Sequence, residues 1–195
     1  PGEIQLQRLA FTLIGVAMSA AGSGALNHVL ERRIDGLMRR TATRPIPSGR
    51  IGPVWASVVG GAALLGGILL LALTVNLLTA GLAVATALAY LLLYTPLKRR
   101  TKFSTLVGCV PGALPALGGW TAATASVGVG GLSLFAVLFL WQIPHFLSLA
   151  WIYRKDYARA RFAMLPVVEP DGKSTALQTF LASIGLLLVS LLPYF

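Results

Sequence analysis

Long uncharged stretches separated by three short basic segments constrain this chain more than any other feature of its sequence. The uncharged stretches cover residues 9–26, 51–97, 103–153 and 174–195. A helix needs about 20 apolar residues to cross the hydrocarbon core of a bilayer, so the two middle stretches are each long enough for two spans. With 56% hydrophobic and 11% charged residues, the composition excludes an ordinary soluble domain. The sequence therefore predicts an all-α, polytopic bundle of six transmembrane helices.

The basic residues are confined to one side of this predicted bundle. All sixteen Lys and Arg residues except Arg8 lie in the segments 28–50, 98–102 and 154–173, which a six-span topology places on the same side. Basic loops favour the cytoplasmic side of a bacterial inner membrane, or the matrix side of the mitochondrial inner membrane. The net charge of +10 is therefore interpreted as a topology signal, and no nucleic-acid partner is expected.

The first basic segment begins with three oxygen-bearing side chains at helical spacing. Asn27, Glu31 and Asp35 are four residues apart, so on an α-helix they lie on one face, about 6 Å from one to the next. Like charges at this spacing repel each other, whereas Mg²⁺ binds carboxylates together with water and phosphate oxygens. The stripe predicts a magnesium site. In the alternative interpretation, the two carboxylates pair with nearby arginines on a solvated helix: Arg32, Arg33, Arg39 or Arg40.

Each of the first two basic segments offers cations to a phosphate ligand. Arg39 lies one helical turn after Asp35 and can reach the same face. Lys98 and Arg99 open a run of cations, and an ammonium next to a guanidinium attracts a diphosphate. Tyr94 lies four residues before Lys98, although an intervening proline leaves open whether they share a helical face. A simple anchor on the positive side of the membrane explains these cations equally well.

The third segment adds an acidic residue, a basic residue and a nearby histidine. Asp156 directly follows the fifth predicted span, beside Lys155, and could complete the metal site from across the bundle. His145 lies eleven residues earlier, which is about 16 Å deeper in a helix. An intramembrane histidine is more often a hydrogen-bonded packing residue, although imidazole also binds haem iron. Asp171 lies between a proline and a glycine, which is typical of a turn.

Three regions, taken together, resemble a known family. They read ALNHVLERRIDGLMRRTATRPIPSGRI, then YTPLKRRT followed by GCVPGALPALGGW, and finally WQIPHFLSLAWIYRKDYARARFAMLPVV. These regions are similar to the signature regions of the protohaem IX farnesyltransferases, or haem O synthases, a branch of the UbiA-type intramembrane prenyltransferases. The resemblance covers about residues 24–172. It implies a bundle of about nine helices, of which this chain supplies about six as a single domain, 1–195, with both ends cut and polar active-site loops at 27–50, 95–104 and 154–173.

The resemblance also implies an activity and a set of site residues. The activity is transfer of a farnesyl group from farnesyl diphosphate to a vinyl group of haem b, giving haem O for haem A synthesis, with a haem A synthase as a partner protein. The implied Mg²⁺ ligands are Asn27, Glu31, Asp35 and Asp156. The implied diphosphate contacts are Arg39, Tyr94, Lys98, Arg99 and Lys155, and His145 would contact haem.

One departure from the wider superfamily leaves part of this site open. The superfamily's second acidic motif is a DxxxD, but the residue four positions after Asp156 is Ala160. Only one carboxylate therefore matches, and the ligands of a second metal ion are not defined. The same departure favours the haem-specific branch over prenyltransferases that act on quinone precursors.

Three other functions are compatible with the sequence. The nearest is a UbiA-type enzyme with an aromatic acceptor such as 4-hydroxybenzoate. The second is a membrane transporter that uses Asn27, Glu31 and Asp35 as a cation path, although a transporter would carry polar residues deeper in several spans. The third is an assembly factor without catalytic activity.

Overall fold

The computed structural model describes residues 5–191, and within this range it is an all-helical bundle without strands. Five helical segments in this part of the chain are long and apolar enough to cross a membrane: Leu6–Asp35, Pro53–Thr74, Leu77–Leu97, Ser104–Thr124 and Val129–Ile152. The prediction of an all-α, polytopic bundle is confirmed. The sixth predicted span corresponds to a shorter apolar helix, Lys173–Val189, and its predicted end lies outside the described residues.

The helices follow one another with short connections. In chain order they are α1 (Leu6–Asp35), α2 (Pro53–Thr74), α3 (Leu77–Leu88), α4 (Thr95–Leu97), α5 (Ser104–Thr124), α6 (Val129–Ile152), α7 (Arg154–Arg159), α8 (Leu165–Val168) and α9 (Lys173–Val189), and a π-helical segment, Ala89–Tyr94, joins α3 to α4. Local sequence explains several boundaries. α2 begins with a proline, whose fixed φ suits the first helical position. α3 begins after Asn76, whose side chain accepts a hydrogen bond from the Thr79 N–H at 2.8 Å.

Packing proceeds from α1 through α2, α3, α5 and α6 to α9, each helix lying against the next. Consecutive long helices alternate in direction, so the three basic segments meet at one end of the bundle. There the backbone N–H of Ala163 donates to the carbonyl oxygen of Lys98 at 2.8 Å, and the side chain of Lys102 forms an ion pair with Glu169. Buried apolar side chains such as Cys109 and Leu147 fill the space between α5, α6 and α9.

Glycines bring α1 and α2 into backbone contact. A Cβ atom added at Gly22 would lie 2.5 Å from the carbonyl oxygen of Gly60, and one added at Gly67 would lie 2.6 Å from that of Gly15. Small residues allow membrane helices to approach this closely. The contact fixes the rotation of α1 and turns its polar face toward the interior of the bundle.

The π-helical segment explains how Pro96 is accommodated within a continuous helical stretch. Proline lacks an N–H and clashes with the carbonyl four residues earlier in a regular α-helix, whereas a π turn is wider. The Thr95 N–H donates to the Tyr90 carbonyl five residues back, and the Thr95 hydroxyl donates to the same oxygen at 2.8 Å. Helical geometry then resumes, with the Lys98 N–H donating to the Tyr94 carbonyl at 3.2 Å. Tyr94 and Lys98 therefore lie on one face.

Candidate active site

A cavity of about 500 Å³ extends from the basic end of the bundle into its interior. Most of its walls come from α1, α2, α3, the π-helical segment, α5 and α6. Charged side chains line the basic end, whereas Val16, Leu71 and Leu82 line the cavity further from that end. The cavity therefore joins a polar mouth to a largely apolar interior.

The predicted stripe on α1 forms one wall of this cavity. Asn27, Glu31 and Asp35 all line it, and the three residues are only 3%, 5% and 1% exposed. The Asn27 side-chain N–H donates to the Thr95 hydroxyl at 2.9 Å, which ties the stripe to α4. The structure thus gathers one amide and two carboxylates on a buried helical face.

Both carboxylates of the stripe pair with cations from outside α1. The Nζ atom of Lys98 donates to both carboxylate oxygens of Glu31 at 2.9 Å. An Nη atom of Arg44 donates to one oxygen of Asp35 at 2.9 Å. The interpretation that paired these carboxylates with Arg32, Arg33, Arg39 or Arg40 is wrong for the described residues. The first loop folds back over the end of α1, as seen in the Thr41 hydroxyl donating to the Asp35 carbonyl, and this brings Arg44 rather than a nearer arginine to Asp35.

Aromatic rings surround the buried ammonium group. The Nζ atom of Lys98 lies 4.5 Å from the centroid of the Tyr94 ring and 5.8 Å from that of Phe162. The face of an aromatic ring attracts a cation, more strongly where water is excluded. Tyr94 and Lys98 both line the cavity, as does His28. The structure therefore brings together five of the residues predicted from the sequence: Asn27, Glu31, Asp35, Tyr94 and Lys98.

A second arginine lies at the cavity mouth and connects the first loop to α7. The guanidinium of Arg40 lies 4.8 Å from the centroid of the Tyr153 ring and 5.7 Å from that of the Tyr157 ring. It also donates to the Tyr157 hydroxyl at 3.2 Å. Burial raises the pKa of Tyr157, although the adjacent Arg40 opposes this shift. The Tyr157 phenol is therefore neutral at physiological pH.

The other predicted site residues lie away from the cavity lining. Arg39, Arg99 and Lys155 are exposed near the mouth. Asp156 accepts a hydrogen bond from Arg159 at 2.9 Å. His145 is exposed on α6, where its ring stacks on Trp141 with the centroids 4.9 Å apart. Their assigned roles toward metal, diphosphate and haem stay predictions.

Sequence reasoning did not assign several cavity-lining residues to the site, among them Arg40, Arg44 and Gln142. Arg44 lies nine residues after Asp35 and beyond the helix, where spacing rules no longer apply. Gln142 lies on α6, three residues before His145, and its helical neighbour Phe146 also lines the cavity. A polar side chain in an apolar span was the available signal for Gln142, because such a group needs a partner.

The oxygen atoms of the stripe suit a hard divalent cation. Mg²⁺ takes one or two carboxylates and completes its six ligands with water and phosphate oxygens, which matches the donors Asn27, Glu31 and Asp35. No group of three or more His, Cys, Asp or Glu residues placed to hold a metal occurs between residues 5 and 191, so Asp156 does not join the stripe there. The stripe itself offers two carboxylates and one amide, so a cation there would need water or phosphate oxygens to complete its ligands.

Two exposed loops are also joined beside the mouth. Lys102, at the end of the second basic segment, donates a hydrogen bond to Glu169 in the third basic segment. This hydrogen bond lowers the pKa of Glu169. Asp171 lies in the turn predicted for it and accepts a hydrogen bond from the Lys173 N–H at 3.2 Å. None of these four residues lines the cavity.

Comparison with known proteins identifies the family of this bundle. The family model described as the UbiA prenyltransferase family matches residues 1–195. The chain belongs to the UbiA prenyltransferase family. The predicted family assignment is thus confirmed, and the buried stripe and cavity described above are features of a UbiA family member.

Three relatives of this UbiA chain share one name. A Protoheme IX farnesyltransferase of Salinibacter ruber is 59% identical over 192 residues, covering 95% of this chain and 65% of the relative. Proteins of the same name from Solibacter usitatus and Koribacter versatilis are 50% and 45% identical, covering 65% and 60% of their own lengths. The chain therefore spans less than two thirds of the length of these relatives. No solved structure matches the chain.

Proposed function

We propose that the protein containing this chain transfers the farnesyl group of farnesyl diphosphate to a vinyl group of haem b and so makes haem O, an intermediate of haem A synthesis. Its UbiA family membership and its similarity to proteins named Protoheme IX farnesyltransferase support this proposal. The structural observation that carries it is the buried pair Glu31–Lys98 at the polar end of a largely apolar cavity. Such a cavity can hold a diphosphate head at its mouth and an isoprenoid tail inside.

The reaction begins when the bond between the prenyl C1 atom and the diphosphate oxygen breaks. Its electron pair leaves with the diphosphate, and fixed cations lower the barrier by neutralising that developing charge. Lys98, Arg40 and Arg44 supply positive charge from the cavity wall, while Arg39, Arg99 and Lys155 are proposed to add contacts from the rim. Tyr94 holds the ammonium of Lys98 against the wall.

Magnesium is proposed as the cofactor, and it would be held by Asn27, Glu31 and Asp35 together with phosphate oxygens. When bound, it supplies further neutralisation of the leaving group. Lys98 and Arg44 would then be free to turn from the carboxylates toward the diphosphate. Asp156 is proposed as an additional ligand from α7, which would require it to leave Arg159 and move toward the stripe.

The interior of the cavity protects the prenyl cation. Ala20, Ala83 and Leu114 are among its apolar lining residues, and exclusion of bulk water slows premature capture of a carbocation. His145 is proposed to contact haem from the outer face of α6. The basic end of the bundle is proposed to face the cytoplasm or the mitochondrial matrix, and a haem A synthase is the proposed partner that takes up the product.

The proposal is tested by expressing the complete gene in cells that lack their own haem O synthase and analysing their pigments by mass spectrometry. Haem O is the expected product. In a second assay, the purified protein receives labelled farnesyl diphosphate with either haem b or 4-hydroxybenzoate, with and without Mg²⁺. Label in the phenol alone would indicate an aromatic acceptor, and absence of pyrophosphate release in every condition would contradict a prenyltransferase of either kind.

A further inference from the structure

Gln142 presents an unpaired hydrogen-bond acceptor inside the cavity. Its side-chain N–H groups donate to the carbonyl oxygens of Leu138 at 3.0 Å and Cys109 at 3.5 Å. These two bonds fix the amide so that its Oε1 atom lies against Gly112, where an added Cβ atom would be only 1.9 Å away. Within residues 5–191, no donor forms a hydrogen bond with this Oε1 atom, although Gln142 is only 6% exposed and lines the cavity.

The Gln142 amide lies close to the level of the charged pair. The Tyr94 ring, which contacts the Lys98 ammonium, packs on Gly108, because a Cβ atom there would lie 2.6 Å from the ring. Gly112 follows Gly108 by four residues, which is about 6 Å along α5. The unpaired oxygen of Gln142 is therefore about one helical turn further into the cavity than the Tyr94 ring. A prenyl C1 atom leaving a diphosphate at Lys98 would enter this region.

The proposed reaction requires a water molecule at this level. When the terminal vinyl carbon of haem b forms a bond to the prenyl C1 atom, the inner vinyl carbon becomes a cation. That cation either loses a proton from the neighbouring carbon, which gives an alkene, or binds the oxygen of water, which gives the alcohol of haem O. In the second case the water loses a proton, and the released diphosphate can accept it. Bulk water is excluded, so the alcohol requires one water molecule held in place.

We propose that the Gln142 side-chain carbonyl holds this water molecule and directs its oxygen to the inner vinyl carbon. The Oε1 atom is not among the fully enclosed polar atoms of the described residues, so a water molecule in the cavity can reach it, whereas neither an isoprenoid tail nor a vinyl group can donate a hydrogen bond to it. Water can donate to Gln142 and still present a lone pair to the cation. The inference rests on the proposed haem O synthesis and makes Gln142 a positioning residue for its last step.

The test is the ratio of hydroxylated to alkene product in the full-length protein, measured by mass spectrometry of farnesylated haems formed in heavy-oxygen water. Gln142→Met keeps a similar volume but lacks the acceptor, so we expect the ratio to fall roughly three- to tenfold, the effect of losing one hydrogen bond. A protonated glutamic acid in Gln142→Glu keeps the carbonyl acceptor and one O–H donor for the Leu138 carbonyl oxygen, so this variant should restore part of the ratio. Ser133→Ala is the matched control, since Ser133 is buried on the same helix, outside the cavity lining, and bonded to the Val129 carbonyl.

Gly112→Ala displaces the same acceptor without changing the residue at position 142. The added methyl group would occupy the position of the Oε1 atom, so the amide must turn away and the ratio should fall as in Gln142→Met. Wild-type haem O formation with an unchanged product ratio in Gln142→Met and Gly112→Ala would overturn this inference alone, even if both variants were slower. A wild-type protein that forms no farnesylated haem would overturn the proposed function.

Discussion

The Nζ atom of Lys98 lies 2.9 Å from both carboxylate oxygens of Glu31, and the two residues are 8% and 5% exposed. They come from different basic segments, 67 positions apart in the sequence. Neither charge could stay buried without the other, because an unpaired ion in a low-dielectric interior loses most of its solvation. The pair therefore joins the end of α1 to the end of α4 as well as marking the cavity mouth.

Removing one member of this pair should destabilise the protein more than removing both. Lys98→Met leaves the Glu31 carboxylate buried and unpaired, at an expected cost of about 3–5 kcal/mol in the free energy of unfolding. The double variant Glu31→Gln with Lys98→Met should recover much of that loss, since no buried charge remains. The free energies of unfolding of the single and the double variant are measured on the full-length protein in detergent. Lys102→Met removes an exposed ion pair and serves as the control with a smaller effect. Equal stability of the single and double variants would contradict a buried charge pair.

Lys98→Arg tests whether a point charge is needed at this position. The single Nζ atom of Lys98 contacts both oxygens of Glu31 within an enclosure formed by Tyr94 and Phe162, and a planar guanidinium does not fit the same place. We expect kcat/KM for farnesyl diphosphate to fall about tenfold, equivalent to ~1.4 kcal/mol. Unchanged kinetics would return Lys98 to a role in topology alone.

Asp35→Ala should abolish farnesyl transfer while the protein still inserts into the membrane. Asp35 is 1% exposed, lines the cavity and is a proposed magnesium ligand. Without this ligand the protein would lose the Mg²⁺ that would neutralise the leaving diphosphate, so kcat should fall by about 10²–10³-fold or more. Asp171→Ala is the matched control, because Asp171 lies in an exposed turn and only accepts a backbone N–H. Haem O formation at the wild-type level by the Asp35 variant would exclude the metal assignment.

Two variants, Tyr157→Phe and Arg40→Ala, distinguish the contribution of the Tyr157 hydroxyl from that of the Arg40 guanidinium. The phenylalanine keeps the ring beneath Arg40 and removes one hydrogen bond, so KM for farnesyl diphosphate should rise by less than about tenfold. Arg40→Ala removes a charged contact at the mouth and should raise KM roughly 10- to 100-fold. Burial raises the pKa of Tyr157, so the neutral phenol stabilises the folded protein. This contribution to folding stability is fully present below the ordinary tyrosine pKa and is lost only as pH rises through the raised pKa. The KM difference between wild type and Tyr157→Phe should therefore be constant near neutral pH.

Local periodicity was sufficient for those features that depend on one segment. Uncharged length predicted the membrane helices, and the spacing of Asn27, Glu31 and Asp35 predicted one buried face. Spacing within a segment could not identify Lys98 or Arg44 as the partners of these carboxylates. The Lys98 contact depends on the second basic segment reaching α1, and the Arg44 contact depends on the first loop folding back over the end of α1. The same limit explains why Gln142 was missed, since its free acceptor is evident only once α5 packs against it.

The close contact of α1 and α2 provides the last prediction, because it holds the stripe toward the cavity. A Cβ atom at Gly22 would lie 2.5 Å from both the Gly60 carbonyl oxygen and the Leu64 backbone nitrogen. Backbone atoms cannot rotate away, so Gly22→Ala must separate the helices, at an expected cost of about 1–3 kcal/mol in unfolding free energy. Gly61→Ala is the matched control, since a Cβ atom at Gly61 meets nothing within 4 Å and alanine favours helix by up to about 1 kcal/mol. Thermal unfolding of the two full-length variants should therefore shift in opposite directions, and a Gly22 variant as stable as the Gly61 variant would show that the helices are not in backbone contact.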